Sequence, residues 1–425
     1  MKSKLGIFGG KPVINKDFKH YNSIGKEEAQ AVQEVMETGV LSKYLGCWHK
    51  DFYGGPKVQE VERMCEEYFG VKYAITVNSW TSGLTAAVGA LDIEPGDEII
   101  TSPWTMTASA TAILHWNAIP VFADIDPKTF CLDPNSVEEN ITPYTKAIMS
   151  VDIFGQSADI NALNSIAKKH GLKVISDTAQ APGALYKGKY AGTLTDIGGY
   201  SLNYHKHIHT GEGGILVTND DDLSERMRLI RNHAEAVIGD MGRSDLNNMV
   251  GHNYRLGEIE SAIGIEQLKK LKGFVSRRQE IAEKLTEGLF MLSNLTTPLV
   301  SKGQTHVYYV YPLIYSADSS GVDREKIYEA LVGEGVPGLA KNYQNIHLLP
   351  IYQKKIAYGS SGFPWSIANR EVSYEKGICP VAENLNDRLY LGIAMCMYDF
   401  DYEDIGLIVD AFHKVWDNLD LLNDS

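Results

Sequence analysis

Cysteine is scarce in this chain: Cys47, Cys65, Cys131, Cys379 and Cys396 are the five in 425 residues. Their number is odd and no two stand as CxxC. That argues against a disulfide framework and a thiolate zinc site, and it fits a reducing cytoplasm. Long apolar runs are also missing. A stretch such as Ala110–Pro120 is broken by His115, Asn117 and Pro120, and falls well short of the ~20 residues a membrane span needs. The opening MKSKLGIFGGKPVINKDF has neither the apolar centre nor the small-residue cleavage site of a secretory signal. Positive charge is in deficit, with 40 Lys and Arg against 54 Asp and Glu and a formal net charge of −14. Such a surface repels phosphate backbones and anionic lipid, so neither nucleic acid nor membrane is expected as a partner. A pocket for a small phosphorylated ligand stays open, because a few backbone amides and cations suffice to bind one.

What is present is an ordinary globular composition, 44% hydrophobic and 22% charged, at a length that suggests two domains. From Tyr73 to Asp220 strand-like and helix-like pieces alternate. Strands are expected at Tyr73–Val77, Glu98–Thr101, Ile119–Ile125, Lys146–Phe154, Lys173–Ser176, Ile197–Leu202 and Gly214–Thr218. Helices are expected at Thr81–Leu91, Thr105–Trp116 and Ile160–His170. This alternation implies βαβ units, a mainly parallel sheet flanked by helices, and a ligand site at the strands' carboxyl ends. Asp221–His233 reads as a helix with its charges suited to the helix dipole, and 235–252 as a long loop. Leu256–Leu271 and Ser276–Met291 read as two helices by apolar spacing. Shorter elements follow at Val307–Ile314, Arg324–Glu334 and Tyr402–Leu419. The expected organisation is a large cofactor-binding α/β domain over 51–270 and a smaller α+β C-terminal domain over 271–425. Residues 1–50 are expected to pack with the small domain.

Four features carry chemistry. Lys206 sits in GYSLNYHKHIHTGEGG, on a segment entering a Gly-rich turn. A lysine near a buried sheet is costly while charged, and forming an imine removes that charge; a solvated loop lysine is the plainer alternative. Asp177 stands just after a strand in KVISDTAQAPG, where a carboxylate can hold a ring nitrogen protonated or simply cap a helix. VNSWTSGL, 77–84, joins a strand to a helix and offers hydroxyls and free amides to a phosphate. Ser201 precedes Lys206 and adds another hydroxyl.

In this order the motifs resemble the fold-type I, DegT/StrS-type sugar aminotransferases. The likeness runs through GGPKVQEVE (54–62), VNSWTSGLTAAVGALDIEPGDEII (77–100), PVFADIDPKTFCLDP (120–134), FGQSADINAL (154–163), SDTAQAPGA (176–184), DIGGYSLNYHKHIHTGEGGILVTND (196–220), RNHAE (231–235), GHNYRLGEIESAIG (251–264) and CPVAENL (379–385). The resemblance implies an aspartate-aminotransferase-like fold, pyridoxal 5'-phosphate as cofactor, and a cytoplasmic homodimer with shared active sites. It implies Lys206 as the catalytic residue that holds the cofactor as a Schiff base and then shuttles protons. Asp177 would pair with the pyridinium nitrogen and Gln180 would approach the phenolic oxygen. Thr81, Ser82 and Ser201 would hold the phosphate, reached also by Asn253 from the partner subunit. Two departures stand out. Trp80 occupies a position where the family usually has a small residue. Met106 occupies the place of the aromatic that often stacks on the cofactor, leaving Trp104 or Trp80 as alternative stacking faces.

The implied reaction moves an amino group from L-glutamate or L-glutamine to a nucleotide-linked 3- or 4-keto sugar, in amino-sugar biosynthesis for a polysaccharide or an antibiotic. A keto-inositol or an unlinked keto-sugar is the alternative acceptor, towards which CPVAENL leans. His205, His207, Tyr343, His347 and the Trp48–Tyr53 segment are candidate acceptor contacts, with packing as the plainer role for each. A branch of the family replaces the lysine by histidine and removes a hydroxyl; retention of Lys206 favours transamination, because only an amine can form the imine. A catalytically silent cofactor-binding relative is the other reading, against which Lys206 and Asp177 stand together. His205, His207 and His209 alternate as metal ligands could on a strand, but no cysteine or nearby aspartate completes a site, and no metal is expected.

Overall fold

A computed structural model describes residues 4–318 and 320–423. The expected strands form at β1 (Tyr73–Val77), β2 (Glu98–Thr101), β3 (Ile119–Phe122), β4 (Thr145–Val151) and β5 (Lys173–Asp177). A short hairpin, β6 (Leu185–Tyr186) and β7 (Lys189–Tyr190), interrupts the series before β8 (Ile197–Ser201) and β9 (Gly214–Thr218). The large sheet has the order β1-β9-β8-β5-β4-β2-β3. Neighbours from β8 to β3 are parallel, while β9 runs antiparallel to both β1 and β8. It follows that β1 points the same way as β8, and that Val77, Asp177 and Ser201 lie at one edge of the sheet.

Helices α1 (Lys26–Thr38), α2 (Pro56–Phe69), α3 (Trp80–Ala90) and α4 (Ala108–His115) precede the middle of the sheet. Strands β2, β3, β8 and β9 are buried at every position, as happens when both faces are covered. Leu84, Ala87 and Val88 of α3 pack with Ile99, Ile175, Ile197 and Leu216 on one face. Val61, Cys65 and Phe69 of α2 meet Ile215 and Val217 on the other. Each such large aliphatic stabilises the fold by roughly 1.5–3 kcal/mol.

Several expected boundaries move. The strand expected through Phe154 stops at Val151, because Phe154 turns to φ 60° in a single 3-10 turn. The strand expected to Ile125 stops at Phe122, and the helix expected from Thr105 begins at Ala108. The two helices expected at Leu256–Leu271 and Ser276–Met291 are one helix of 32 residues, Glu258–Leu289. Gly273 lies inside it, at an open position. A glycine there costs about 1 kcal/mol, too little to break a helix whose buried stripe continues through Leu271 and Val275.

The far half of that helix enters a second core. There Ile281, Leu285 and Leu289 meet Tyr311, Leu313 and Phe412, together with Leu5, Ile14 and Phe18 from the start of the chain. A four-stranded antiparallel sheet runs through it, in the order β10 (Leu295–Thr296), β11 (Tyr311–Tyr315), β13 (Tyr390–Ile393), β12 (Leu339–Ala340). No helix among the described residues is long and apolar enough to cross a membrane.

Candidate active site

The edge of the large sheet where β1, β5 and β8 end collects the expected groups. β8 leaves the sheet at Ser201, and the chain loops out before returning as β9. Leu202 N–H donates to Gly213 O at 2.9 Å and Thr210 N–H to Leu202 O at 3.0 Å, which pinches the loop at its base. Within it Lys206 N–H donates to Asn203 O at 2.9 Å. This tight turn sends the lysine inward rather than to solvent, and the residue is 8% exposed.

Lys206 Nζ lies 4.4 Å from the centre of the Tyr309 ring and has no hydrogen-bond partner among the described residues. Burial pulls its pKa from the ordinary 10.5 down to about 8, against smaller upward pulls from Cys396 and Asp177. A buried amine without an acid in contact gives up its proton more readily than a solvated one. The neutral amine is the form that attacks a carbonyl.

Asp177 closes β5 and is buried. Its Oδ1 accepts from Trp80 Nε1 at 2.7 Å and from Ala179 N–H at 3.2 Å; its Oδ2 accepts from Ser109 Oγ at 2.8 Å. Burial raises the pKa of this carboxyl, while Trp80, Ser109, the Ala179 amide and Lys206 pull it back. No helix follows Asp177, so it caps none; one oxygen steadies the following turn, and both oxygens accept from buried donors.

Gln180 bridges two parts of the site, with Oε1 accepting from Phe154 N–H at 2.8 Å and Nε2 donating to Tyr343 Oη at 3.1 Å. At the start of α3, Ser79 Oγ caps the helix by accepting from Ser82 N–H at 3.1 Å, and Ser82 Oγ donates to Asn78 Oδ1 at 2.7 Å. Thr81 is exposed beside them. The pairs Val77↔Gly214 and Ser201↔Gly214 place Ser201 across β9 from this turn. The helix start therefore presents hydroxyls and unpaired amides, the usual seat of a phosphate.

The fit to pyridoxal phosphate rests on these atoms. A neutralisable buried amine, a buried anion one strand away and an anion-binding helix start match the carbonyl, ring nitrogen and phosphate of that cofactor.

The other expected residues are placed as follows. Trp104 has no exposed surface and packs among Phe130, Phe154, Tyr343 and Tyr390. Trp80 turns its ring edge to Asp177, and Met106 is left 60% exposed. His205 is half-buried with its ring against Tyr204 and Tyr309, and burial lowers its pKa to about 4. His207 and His347 are fully buried. His207 meets the Val307 carbonyl through Nε2 at 2.7 Å, and His347 meets Glu383 at 3.0 Å. Both are thus packed side chains in this conformation, the plainer role weighed for them. Trp48 packs edge-on against Phe52 and Tyr53. No cluster of possible metal ligands occurs among the described residues. Asn253 lies beside its own chain's phosphate turn, its carbonyl accepting from Asn78 Nδ2 at 3.2 Å; its exposed side chain accepts from Arg255 Nε at 2.8 Å.

Two contacts were not visible in the sequence. Tyr309 lies 103 positions beyond Lys206 with no spacing that ties them, and only the packing of the second core against the first joins them. Ser109 sits in the first turn of α4, where its type suggests ordinary helix-start chemistry rather than a partner for Asp177.

Comparison with known proteins agrees with this geometry. Residues 22–385 match the sequence profile of the DegT/DnrJ/EryC1/StrS aminotransferase family. A putative L-glutamine:3-amino-2,3-dideoxy-scyllo-inosose aminotransferase of Streptomyces kanamyceticus is 32% identical over 441 aligned positions that span 100% of both chains. The GDP-perosamine synthase of Caulobacter vibrioides is 37% identical over 326 residues, 76% of this chain and 84% of that protein. The crystal structure of an aminotransferase from Psychrobacter cryohalolentis superposes with a TM-score of 0.80 at 26% identity, covering 95% of this chain and 100% of that one. With a buried lysine facing a buried aspartate at the strand ends, and a family match across most of its length, this chain belongs to the DegT/DnrJ/EryC1/StrS family of pyridoxal-phosphate-dependent aminotransferases.

Proposed function

We propose that the protein transfers an amino group from L-glutamine or L-glutamate to the keto group of a sugar or cyclitol, using Lys206 as its catalytic residue. The observation that carries this reading is the buried, unpaired Lys206 amine beside Asp177 at the carboxyl end of the sheet. The bound cofactor supplies an electron sink that makes the α-proton of the amino-acid donor removable. Lys206 Nζ would hold the cofactor, and the same amine, when free, would take up that α-proton. Asp177 keeps its negative charge facing the ring nitrogen, and Gln180 Nε2 is available to the phenolic oxygen. Thr81, Ser82 and Ser201 hold the phosphate. Tyr343, joined to Gln180, is a candidate contact for the acceptor.

A homodimer with shared sites accords with the surface. Leu41, Leu45, Trp48, Leu246 and Val250 are large exposed apolar side chains. The first two lie on a segment tied back to the body, Glu258 N–H donating to Leu41 O at 3.0 Å and Asn232 Nδ2 to Leu45 O at 2.9 Å. Asn232 bridges to Asn253, so Asn253 lies next to the Leu45 segment, and a second copy packed there would receive it near its own phosphate turn. Large exposed apolar side chains on these segments suit a subunit interface.

Two acceptor classes divide the reading. A nucleotide-linked 3- or 4-keto sugar is one, in keeping with the synthase from Caulobacter. A keto-inositol is the other, favoured by the relative that this chain matches from end to end. The test is the visible spectrum of the holoenzyme. One of L-glutamine and L-glutamate is expected to bleach the cofactor band, and a keto-sugar or keto-inositol from a panel of both classes is expected to restore it. A band indifferent to both donors would overturn the transaminase reading.

The lysine's environment sets a pH dependence. Because burial disfavours the ammonium, covalent uptake of pyridoxal phosphate by apoenzyme is expected to quicken with rising pH and to level off above about 8. Stopped-flow absorbance across a pH series measures it. A rate still climbing towards the ordinary lysine value of 10.5 would show that Lys206 is solvated.

A further inference from the structure

We propose that Trp80 is a positioning residue whose indole N–H fixes the Asp177 carboxylate in the orientation that receives the cofactor's ring nitrogen. The proposal rests on the reading of Asp177 as the partner of that nitrogen.

The geometry begins with the slot in which the indole lies. Gly199 of β8 is the register partner of Asp177. A Cβ at Gly199 would overlap the far edge of the Trp80 six-membered ring, and one at Gly83 would come within 2.8 Å of it. At Gly214 a Cβ would stand 2.9 Å from the Trp80 backbone. Glycines of α3 and β8 thus leave room for the flat indole, while Gly214 of β9 admits the backbone that carries it. Trp80 fills the slot, 5% exposed, and its nitrogen reaches Asp177 Oδ1 at 2.7 Å. The indole nitrogen can only donate, so the contact favours the ionised carboxylate.

Counting acceptor sites shows what the contact achieves. A carboxylate offers about four lone-pair positions. Trp80, Ala179 N–H and Ser109 take three of them, and one remains for a cationic ring nitrogen. Trp80 and Ser109 pin opposite oxygens from two different helices, so the carboxyl plane cannot rotate without breaking one of the bonds. The same donors keep the group charged in a buried site, because a hydrogen bond to the anion offsets the loss of water. Phenylalanine would occupy most of the slot but would not donate. Filling the slot and fixing the carboxylate are therefore separable.

The test is the affinity of apoenzyme for pyridoxal phosphate, measured by equilibrium dialysis across a pH series, for the wild type, Trp80→Phe, Asp177→Asn and the double variant. Trp80→Phe is expected to weaken binding about tenfold, the size of one charge-assisted hydrogen bond. It is also expected to move the acid limb of binding to higher pH, because Asp177 without its donor takes up a proton more readily. The other charged or titratable groups facing Asp177 are Lys206, Asp152 and Tyr343; all remain in the variant, so the shift reports on the lost donor. In the Asp177→Asn background the Trp80 change is expected to have no further effect. Wild-type affinity and an unmoved acid limb in Trp80→Phe would overturn the proposal, as would an equal loss in both backgrounds, which marks a packing role. Wild-type affinity in Asp177→Asn would instead remove the Asp177 reading itself. Should Trp80→Phe fail to fold, benzothienylalanine at position 80 keeps the ring shape and removes only the N–H, with the same expected outcomes.

Discussion

Replacing Lys206 with alanine is expected to cut turnover at least about a thousandfold, while the folded protein still binds pyridoxal phosphate without a covalent bond. The size of the loss follows from the two tasks of one atom. Nζ is the covalent attachment point, and the same amine is the base that moves the donor's α-proton. No neighbour among the described residues can take over both tasks. Tyr309 presents its ring to Nζ, and burial raises its hydroxyl pKa far above neutrality. His205 is the adjacent imidazole, and burial keeps it neutral down to about pH 4, but it cannot form the covalent link. Non-covalent binding persists because the phosphate seat at α3 and the Asp177 carboxylate are independent of the lysine. Borohydride treatment followed by mass spectrometry separates the cases. Cofactor mass fixed to the wild type and absent from Lys206→Ala is the expected result; a variant that still acquires the mass, or still turns over, would place the attachment elsewhere.

Asp177→Asn is expected to weaken pyridoxal phosphate binding and lower turnover, each by roughly a hundredfold, the scale of removing one member of a buried charge pair. Asparagine is nearly isosteric with aspartate, so the packing beneath it stays. What changes is charge and polarity at two contacts. Trp80 Nε1 and Ser109 Oγ both donate to the carboxylate, and an amide can accept on its oxygen only. One donor is left facing an N–H group, and the ring nitrogen meets a neutral neighbour. Equilibrium dialysis reads the binding loss, and kcat with saturating cofactor reads the chemical loss. A variant that binds weakly but turns over normally when saturated would reduce Asp177 to an anchor.

Much of this molecule was legible in its sequence because the relevant signals are local. The apolar runs YAITV, EIIT and GILVT become β1, β2 and β9 as expected, since a strand buried on both faces needs apolar residues throughout. Lys206 and Asp177 stood out because each follows a strand within a few residues, and chain connectivity places such positions at the sheet's carboxyl edge. Composition likewise argued against membrane and nucleic-acid roles, through charge and the lack of long apolar runs. Errors fell where a local rule met a longer-range force. Apolar spacing suggested two helices, Leu256–Leu271 and Ser276–Met291, yet burial on either side of Gly273 carries one helix across.

What only the tertiary structure decided is which side chain meets which. Trp80 and Trp104 were equal candidates for a stacking face, because both are aromatic and both lie near the cofactor motifs. The fold buries Trp104 in an aromatic cluster and turns the edge of Trp80 to Asp177, its ring seated against Gly83 and Gly199 from two separate elements. His207 and His347 were as eligible as His205 until burial separated them. Tyr309 and Ser109 carried no signal at all, being brought to Lys206 and Asp177 by packing between distant segments. The sequence by itself determined the chemistry available and the order of its parts, because hydrophobic periodicity and chain connectivity act over a few residues. The direction of each side chain, and hence the partner of each buried polar atom, depended on how the segments packed, because burial penalises every donor and acceptor that the completed core leaves unpaired.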